Sequence, residues 1–160
     1  MGQIFQGDFL MPNEQRSSNN PLWLDDFLLV YQQLGTDNLA SLETIYHPKI
    51  TFVDPIHKVN GLDNLIIYFD NLYSNVLFCD FKIDDVFFNK NKAAIYWTMR
   101  YSHKKLNNAE AITVQGHSLL KMAEQKVIYH RDYVDLGAML YEHIPLLGKV
   151  VKAIKVRASK

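Results

Sequence analysis

His130 and Asp132 stand two residues apart in the run 126–135 (KVIYHRDYVD), and a third proton carrier, Asp54, ends the run 50–54 (ITFVD) just ahead of Pro55. In a strand, residues two apart share a face, so Ile128, His130 and Asp132 point one way while Val127, Tyr129, Arg131 and Tyr133 point the other. An imidazole beside a carboxylate can take up a proton at one group and release it at another. Each group also has a plain structural use. Asp before Pro orders a turn, and a carboxylate can simply fix the tautomer of a core imidazole. The sequence leaves both uses open.

The other reactive side chains carry less. His57 follows Asp54-Pro55 in a connection and reads as exposed, His117 reads as facing away from any covered face, and His47, His103 and His143 lack the short spacing of metal ligands. No metal site is expected. Cys79 is the sole cysteine, which excludes an internal disulfide, and with no basic neighbour to lower its pKa it reads as a small strand residue. No glycine-rich phosphate loop is present, so no organic cofactor is expected.

These groups must be positioned by elements whose period changes along the chain. Residues 1–20 are polar and turn-rich after Pro12 and read as a loose arm. Leu24, Phe27, Leu28, Tyr31 and Leu34 form the apolar face of a first helix that Gly35 ends. A second short helix is expected from Leu39 to Tyr46, closed by His47-Pro48. A third follows Gly61 and runs to about Tyr73, with Leu65, Ile66, Phe69, Leu72 and Tyr73 on one face. The segments 78–88, 93–103, 111–122 and 126–133 then read as four strands with polar connections. Helices followed by a strand meander make an α+β domain over residues 21–135, with the helices on one sheet face. In the second of these strands Ile95, Trp97, Met99 and Tyr101 form a bulky covered face, while Tyr96 and Arg100 face outward.

Residues 136–160 turn helical again, broken by Pro145 and Gly148. Lys149, Lys152, Lys155, Arg157 and Lys160 accompany an apolar stripe of Leu146, Leu147, Val150, Val151 and Ile154. The stripe is expected to pack on the body with the lysines solvated; a membrane surface is the alternative.

Composition sets the outer bounds. A chain of 160 residues fits one domain. Seventeen basic residues balance seventeen acidic ones, so the chain as a whole has no field that attracts nucleic acid. No basic, apolar leader and no run long enough to span a bilayer is visible, and a cytoplasmic location is expected.

The order of these features resembles the nuclear transport factor 2-like superfamily of ketosteroid isomerases and SnoaL-like cyclases. The carrying segments are 43–55 (ETIYHPKITFVDP), Gly61-Leu62, Trp97, 115–120 (QGHSLL) and 126–135, and the ending 133–148 resembles a bacterial subgroup of it. The resemblance implies a curved sheet wrapped around helices into a cone, open at one end to a small, largely apolar molecule. It implies that His130 and Asp132 face the concave side and that Asp54 stands where the isomerases keep their general base. Asp54 is then the expected base, His130 the acid and Asp132 the group that orients His130. Tyr31, Phe69, Tyr73, Trp97, Met99 and Tyr101 are the expected cavity wall. A homodimer through the convex face is also implied.

The departures narrow the chemistry. Gly116 occupies the late-strand position of the isomerase oxyanion aspartate, Phe69 replaces a supporting tyrosine, and Tyr31 is offset from the first-helix tyrosine. Ketosteroid isomerase activity as such is not expected. An Asp-Arg-Asp epoxide hydrolase site is not expected either, because Arg131 faces away from Asp132. Three functions remain in view: a pocket with acid-base isomerase, lyase or hydrolase chemistry, a non-catalytic binding or interaction module, and a membrane-surface partner.

Overall fold

The computed structural model describes residues 19–159. The arm expected over residues 1–20 therefore lies, except for its last two residues, outside the described residues. Helix α1 (Leu22–Gln32) buries Trp23, Leu24, Phe27 and Tyr31 on one stripe. It stops at Gln33 rather than at Gly35. Gly35 is extended, and its N–H donates to Asn38 Oδ1 (2.8 Å) at the head of a 3-10 turn, Thr36–Ser41.

The second helix is shorter than its periodicity predicts. Helix α2 covers only Leu42–Ile45, and the chain is already extended at Tyr46, where strand β1 (Tyr46–Val53) begins. The expectation of a helix closed at His47-Pro48 is corrected by tertiary pairing. Tyr46 aligns with Val127 of the last strand, and Pro48 lies within the register shift between Tyr46 and Thr51. A residue with no N–H is tolerated in a strand at such an irregularity. Strand β2 (Lys58–Asn60), which periodicity does not reveal, folds back on β1. Gly61 follows with φ 87°, the left-handed region that glycine alone enters freely, and releases the chain into helix α3 (Leu62–Tyr73). Leu65, Phe69 and Tyr73 are its buried face.

Four long strands complete the sheet: β3 (Val76–Asn89), β4 (Lys92–His103), β5 (Ile112–Ala123) and β6 (Lys126–Val134). The order is β2-β1-β6-β5-β4-β3. All pairs are antiparallel except β1 with β6, which run parallel and place Phe52 beside His130. The alternation expected in β4 holds: Ile95, Trp97 and Tyr101 are buried while Tyr96 and Arg100 are exposed. The core lies between this concave face and α1, α2 and α3.

Beyond β6, Asp135 accepts from Ala138 N–H and caps helix α4 (Leu136–Met139), and a 3-10 turn (Tyr141–His143) leads to helix α5 (Leu147–Ala158). The break between helices falls at Pro145 and Leu146; Gly148, expected to break the helix, lies inside α5. Its lack of a side chain has another reason. A Cβ there would stand 2.3 Å from the Glu142 carbonyl oxygen, so glycine permits the close crossing of α5 over the preceding turn. The apolar stripe, expected to pack on the body, instead stays largely in water: Leu146, Leu147, Val150 and Ile154 are exposed, and Val151 is half-buried. The contact surface of α5 goes to the turn 141–143, which leaves the stripe at its side.

Candidate functional site

A cavity of about 310 Å³ opens between the concave sheet and the helices. Tyr31 reaches it from α1, Phe69 and Tyr73 from α3, and Trp97, Met99 and Tyr101 from β4, so all six residues expected on the wall are on it. Asp54, at the end of β1, and Asp132, on β6, are the two carboxylates on the wall among the described residues.

Asp54 stands where the chain leaves the sheet, and its turn-forming role is real. Its Oδ1 accepts from the N–H groups of Ile56 and His57 (2.7 Å each), and its Oδ2 accepts from the Tyr68 hydroxyl. Burial first, then the bond to Asp54, pushes the Tyr68 phenol well up, so it remains a donor. Both oxygens of the expected base are thus engaged.

Asp132 is held differently. Its Oδ1 accepts from Ser118 Oγ (2.5 Å) and from His130 Nε2 (2.7 Å). Behind these stand two further donors. Trp97 Nε1 donates to Ser118 Oγ (2.9 Å), and the Tyr46 hydroxyl meets His130 Nδ1 (2.5 Å). Burial, followed by the Asp132 charge, raises the Tyr46 phenol well above its usual range. A carboxylate oxygen only accepts, so His130 Nε2 carries a proton facing Asp132, while Nδ1 shares its hydrogen bond with the Tyr46 hydroxyl. Two donor chains therefore end on one oxygen. Among the described residues none donates to Oδ2, and the side chain keeps 14% of its surface open.

His130 itself is a correction to the expected arrangement. It is wholly buried and is not on the cavity wall. The rings of Phe27, Tyr31, Tyr46 and Phe52 enclose it, with centroids 4.9–5.9 Å away. The helices fill the cone to the depth of His130, and one pleat further out Asp132 meets the empty space. The imidazole meets the carboxylate from behind, and of the two only the carboxylate lines the cavity.

The cavity's phenols are neutral donors. Burial pushes Tyr31 and Tyr73 up, and Tyr101 to about 12. Cys79 also lines the wall, and burial raises its thiol to about 12, which removes it as a nucleophile at neutral pH. Tyr101 donates to the Met139 carbonyl, which ties α4 to β4, and Met139 and Leu140 line the cavity.

Several of these residues escape the sequence. Ser118 was within reach, because strand alternation in β5 puts it on the face of Gly116 and Leu120. Tyr46 was hidden by the helix expected there, and Tyr68 lies one position off the apolar stripe of α3. Nothing in residues 136–140 signals a place on the cavity wall.

Gly116 has a local purpose. It pairs with Trp97 across the strands, and a Cβ on it would sit 2.3 Å from Trp97 Cη2 and 2.7 Å from the Tyr133 carbonyl oxygen. The glycine is the seat of the indole, which leaves no room for a carboxylate there. Gly116→Ala is expected to cost about 1–3 kcal/mol through overpacking. It should also change the emission of Trp97, one of two tryptophans, because the indole must leave Ser118. A Trp23→Phe background isolates that signal, and an unaltered spectrum would refute the tight fit.

Residues 29–130 match the model of the SnoaL-like domain. The chain belongs to this family. Solved structures agree in fold. The SnoaL-like chain is similar to a protein described as a SnoaL-like polyketide cyclase from Jannaschia sp. CCS1, with 14% identity, 79% of this chain and 94% of that one covered, and a TM-score of 0.68. It is similar to an NTF2-like protein of unknown function from Burkholderia pseudomallei K96243, with 11% identity, 74% and 92% covered, and a TM-score of 0.65. A protein with a ketosteroid isomerase-like fold from Catenulispora acidiphila DSM 44928, bound to trimethylamine, gives 16% identity, 75% and 90% covered, and a TM-score of 0.65. At such identities the likeness establishes the SnoaL-like fold alone. No curated protein matches the chain in sequence.

Proposed function

We propose that the chain binds a small, largely apolar molecule in its cone and moves a proton on it, with Asp132 Oδ2 as the acceptor. The observation that carries this reading is the one-sided hydrogen bonding of Asp132. Two donors, Ser118 and His130, each backed by a further hydrogen bond, are spent on Oδ1, while among the described residues none donates to Oδ2 and the side chain lines an apolar cavity. A carboxylate kept only for structure would have both oxygens satisfied, as Asp54 does.

In the proposed step a ligand X–H bond breaks, its proton goes to Oδ2, and the electron pair stays on the ligand. The neutral hydroxyls of Tyr31 and Tyr73 on the same wall are the groups able to donate to that developing charge. Such a transfer is common to isomerase, lyase and hydrolase chemistry. The polyketide cyclase description of the Jannaschia protein supports enolisable ring systems as the first ligands to try.

A second reading, a non-catalytic interaction module that dimerises through its sheet, is supported by the convex face. There Tyr96, His117 and Tyr133 stack in a row, with centroids 5.2 and 4.6 Å apart, Arg131 lies 4.8 Å over Tyr133, and Phe87 is exposed at the end. A row of aromatics in water is typical of a surface awaiting a partner.

Native mass spectra of the protein from its own cells test both. A small molecule retained by the wild type and released on mild denaturation is the expected result. Dimers that are always empty would favour the second reading over the first, and a monomer would remove the dimer.

A further inference from the structure

We propose that helix α5 and the lysine-lined cleft beside it form a docking surface for an anionic phospholipid membrane. Three observations converge on it. The first is the exposed stripe. Leu147, Val150 and Ile154 recur at the spacing of one helix face, and Leu146 continues it, yet Leu146 is 77% and Ile154 61% exposed. An apolar face of this kind is normally buried against something.

The second is charge. The helix carries Lys149, Lys152, Lys155 and Arg157 and no acidic residue. Lys155 is spent within the fold: its Nζ bridges Asp135 Oδ2 (3.0 Å) and Glu142 Oε1 (2.5 Å), which fixes α5 to the body. The remaining cations have no ion pair among the described residues.

The third is a concave site beside the stripe. A cleft of about 270 Å³ is lined by Lys105 from the β4–β5 connection and by Lys149 and Lys152 from α5, together with Asn107 and Asn108. Glu142 also borders it, with its carboxylate engaged by Lys155. Lysines and amides around a depression next to an apolar ridge match the layout of a phosphate headgroup above its acyl chains.

Other occupants fit less well. A second copy of α5 would set like charges against each other, and a nucleic acid would leave the stripe in water. The 12-residue helix cannot itself cross a membrane, and no helix among the described residues is long and apolar enough to do so. The contact is therefore with the surface. The β4–β5 connection that supplies Lys105 to the cleft also supplies Leu106 to the cone's cavity wall, so the docking surface adjoins the cavity mouth.

The test is co-sedimentation of the full chain with vesicles of phosphatidylcholine alone or with about one third phosphatidylglycerol. Two variants accompany it, Lys149→Glu/Lys152→Glu and Ile154→Asp. All three positions are exposed, and circular dichroism and tryptophan emission check that each variant keeps its fold. Expected is partition onto the anionic vesicles only, weakened by salt. The charge reversals should lower it by at least about tenfold, and Ile154→Asp, which removes apolar area and adds a negative charge, should lower it as well. No partition onto anionic vesicles overturns the proposal. So does partition equal to that on neutral vesicles, or partition that both variants leave unchanged. A concentration-dependent dimer abolished by Ile154→Asp, with no vesicle binding, would assign the stripe to a second copy instead.

Discussion

Asp132→Asn is expected to keep the fold and to reduce any turnover at the cavity by about a hundredfold or more, the usual share of a positioned general base. The substitution is nearly isosteric. The amide oxygen can continue to accept from Ser118 and His130, so the two donor chains stay satisfied. What changes is the position of Oδ2, which turns from a proton acceptor into an N–H₂ donor. The measurement is the rate with whichever molecule co-purifies, alongside the unfolding midpoint. A midpoint shift of about 1 kcal/mol or less with the rate lost is the expected pattern. An unaffected rate would remove Asp132 from the chemistry, and a collapse of both would show that the carboxylate serves the fold.

His130→Ala is expected to be the most destabilising of the changes considered, by about 3–5 kcal/mol. Two losses add. The ring is wholly buried among four aromatic side chains, so its removal opens a hole that the strand β6 backbone cannot close. It also strands the Tyr46 hydroxyl and takes one donor from Asp132. His130→Phe separates the two, because it restores most of the volume and none of the hydrogen bonds. That variant should recover the cavity share and leave about 1–3 kcal/mol for the unpaired polar groups. Denaturant unfolding of both variants reads the difference. Equal destabilisation would show that hydrogen bonding, not packing, dominates at this position.

The fold was legible where a residue's environment follows from its neighbours in sequence. Alternation alone sorted Ile95, Trp97 and Tyr101 from Tyr96 and Arg100, and the α3 stripe followed from the spacing of Leu65, Phe69 and Tyr73. It failed where a distant strand decided. Tyr46 has the context of a helix end, but pairing with β6 draws it into β1. The same limit governs the site. Alternation put His130 and Asp132 on one face, and both are there. Which of them meets the cavity depends on how deeply Phe27 and Tyr31 fill the cone, a property of α1 packing that β6 does not encode. The tail was misjudged for a related reason. An apolar stripe declares that something should cover it, and the burial of Gly148 against Glu142 turns that stripe away from the body.

The parallel pairing of β1 with β6 also sets an order in time. Tyr46 and Phe52 find their strand partners, Val127 and His130, only after the whole meander has been made. During synthesis α1, α2, β1, β2 and α3 leave the ribosome with Phe27, Phe52 and Phe69 uncovered, since the sheet edge that will receive them is the last strand to appear. Strands β3 to β6 are joined by short connections and can pair as they emerge, so the largest loop-closure cost falls on bringing the first strand to the last. His130 lies at that seam, and its bond to Tyr46 forms only when the seam shuts. The residue bonded to the cavity carboxylate is therefore also among the last to be locked into place as the chain folds.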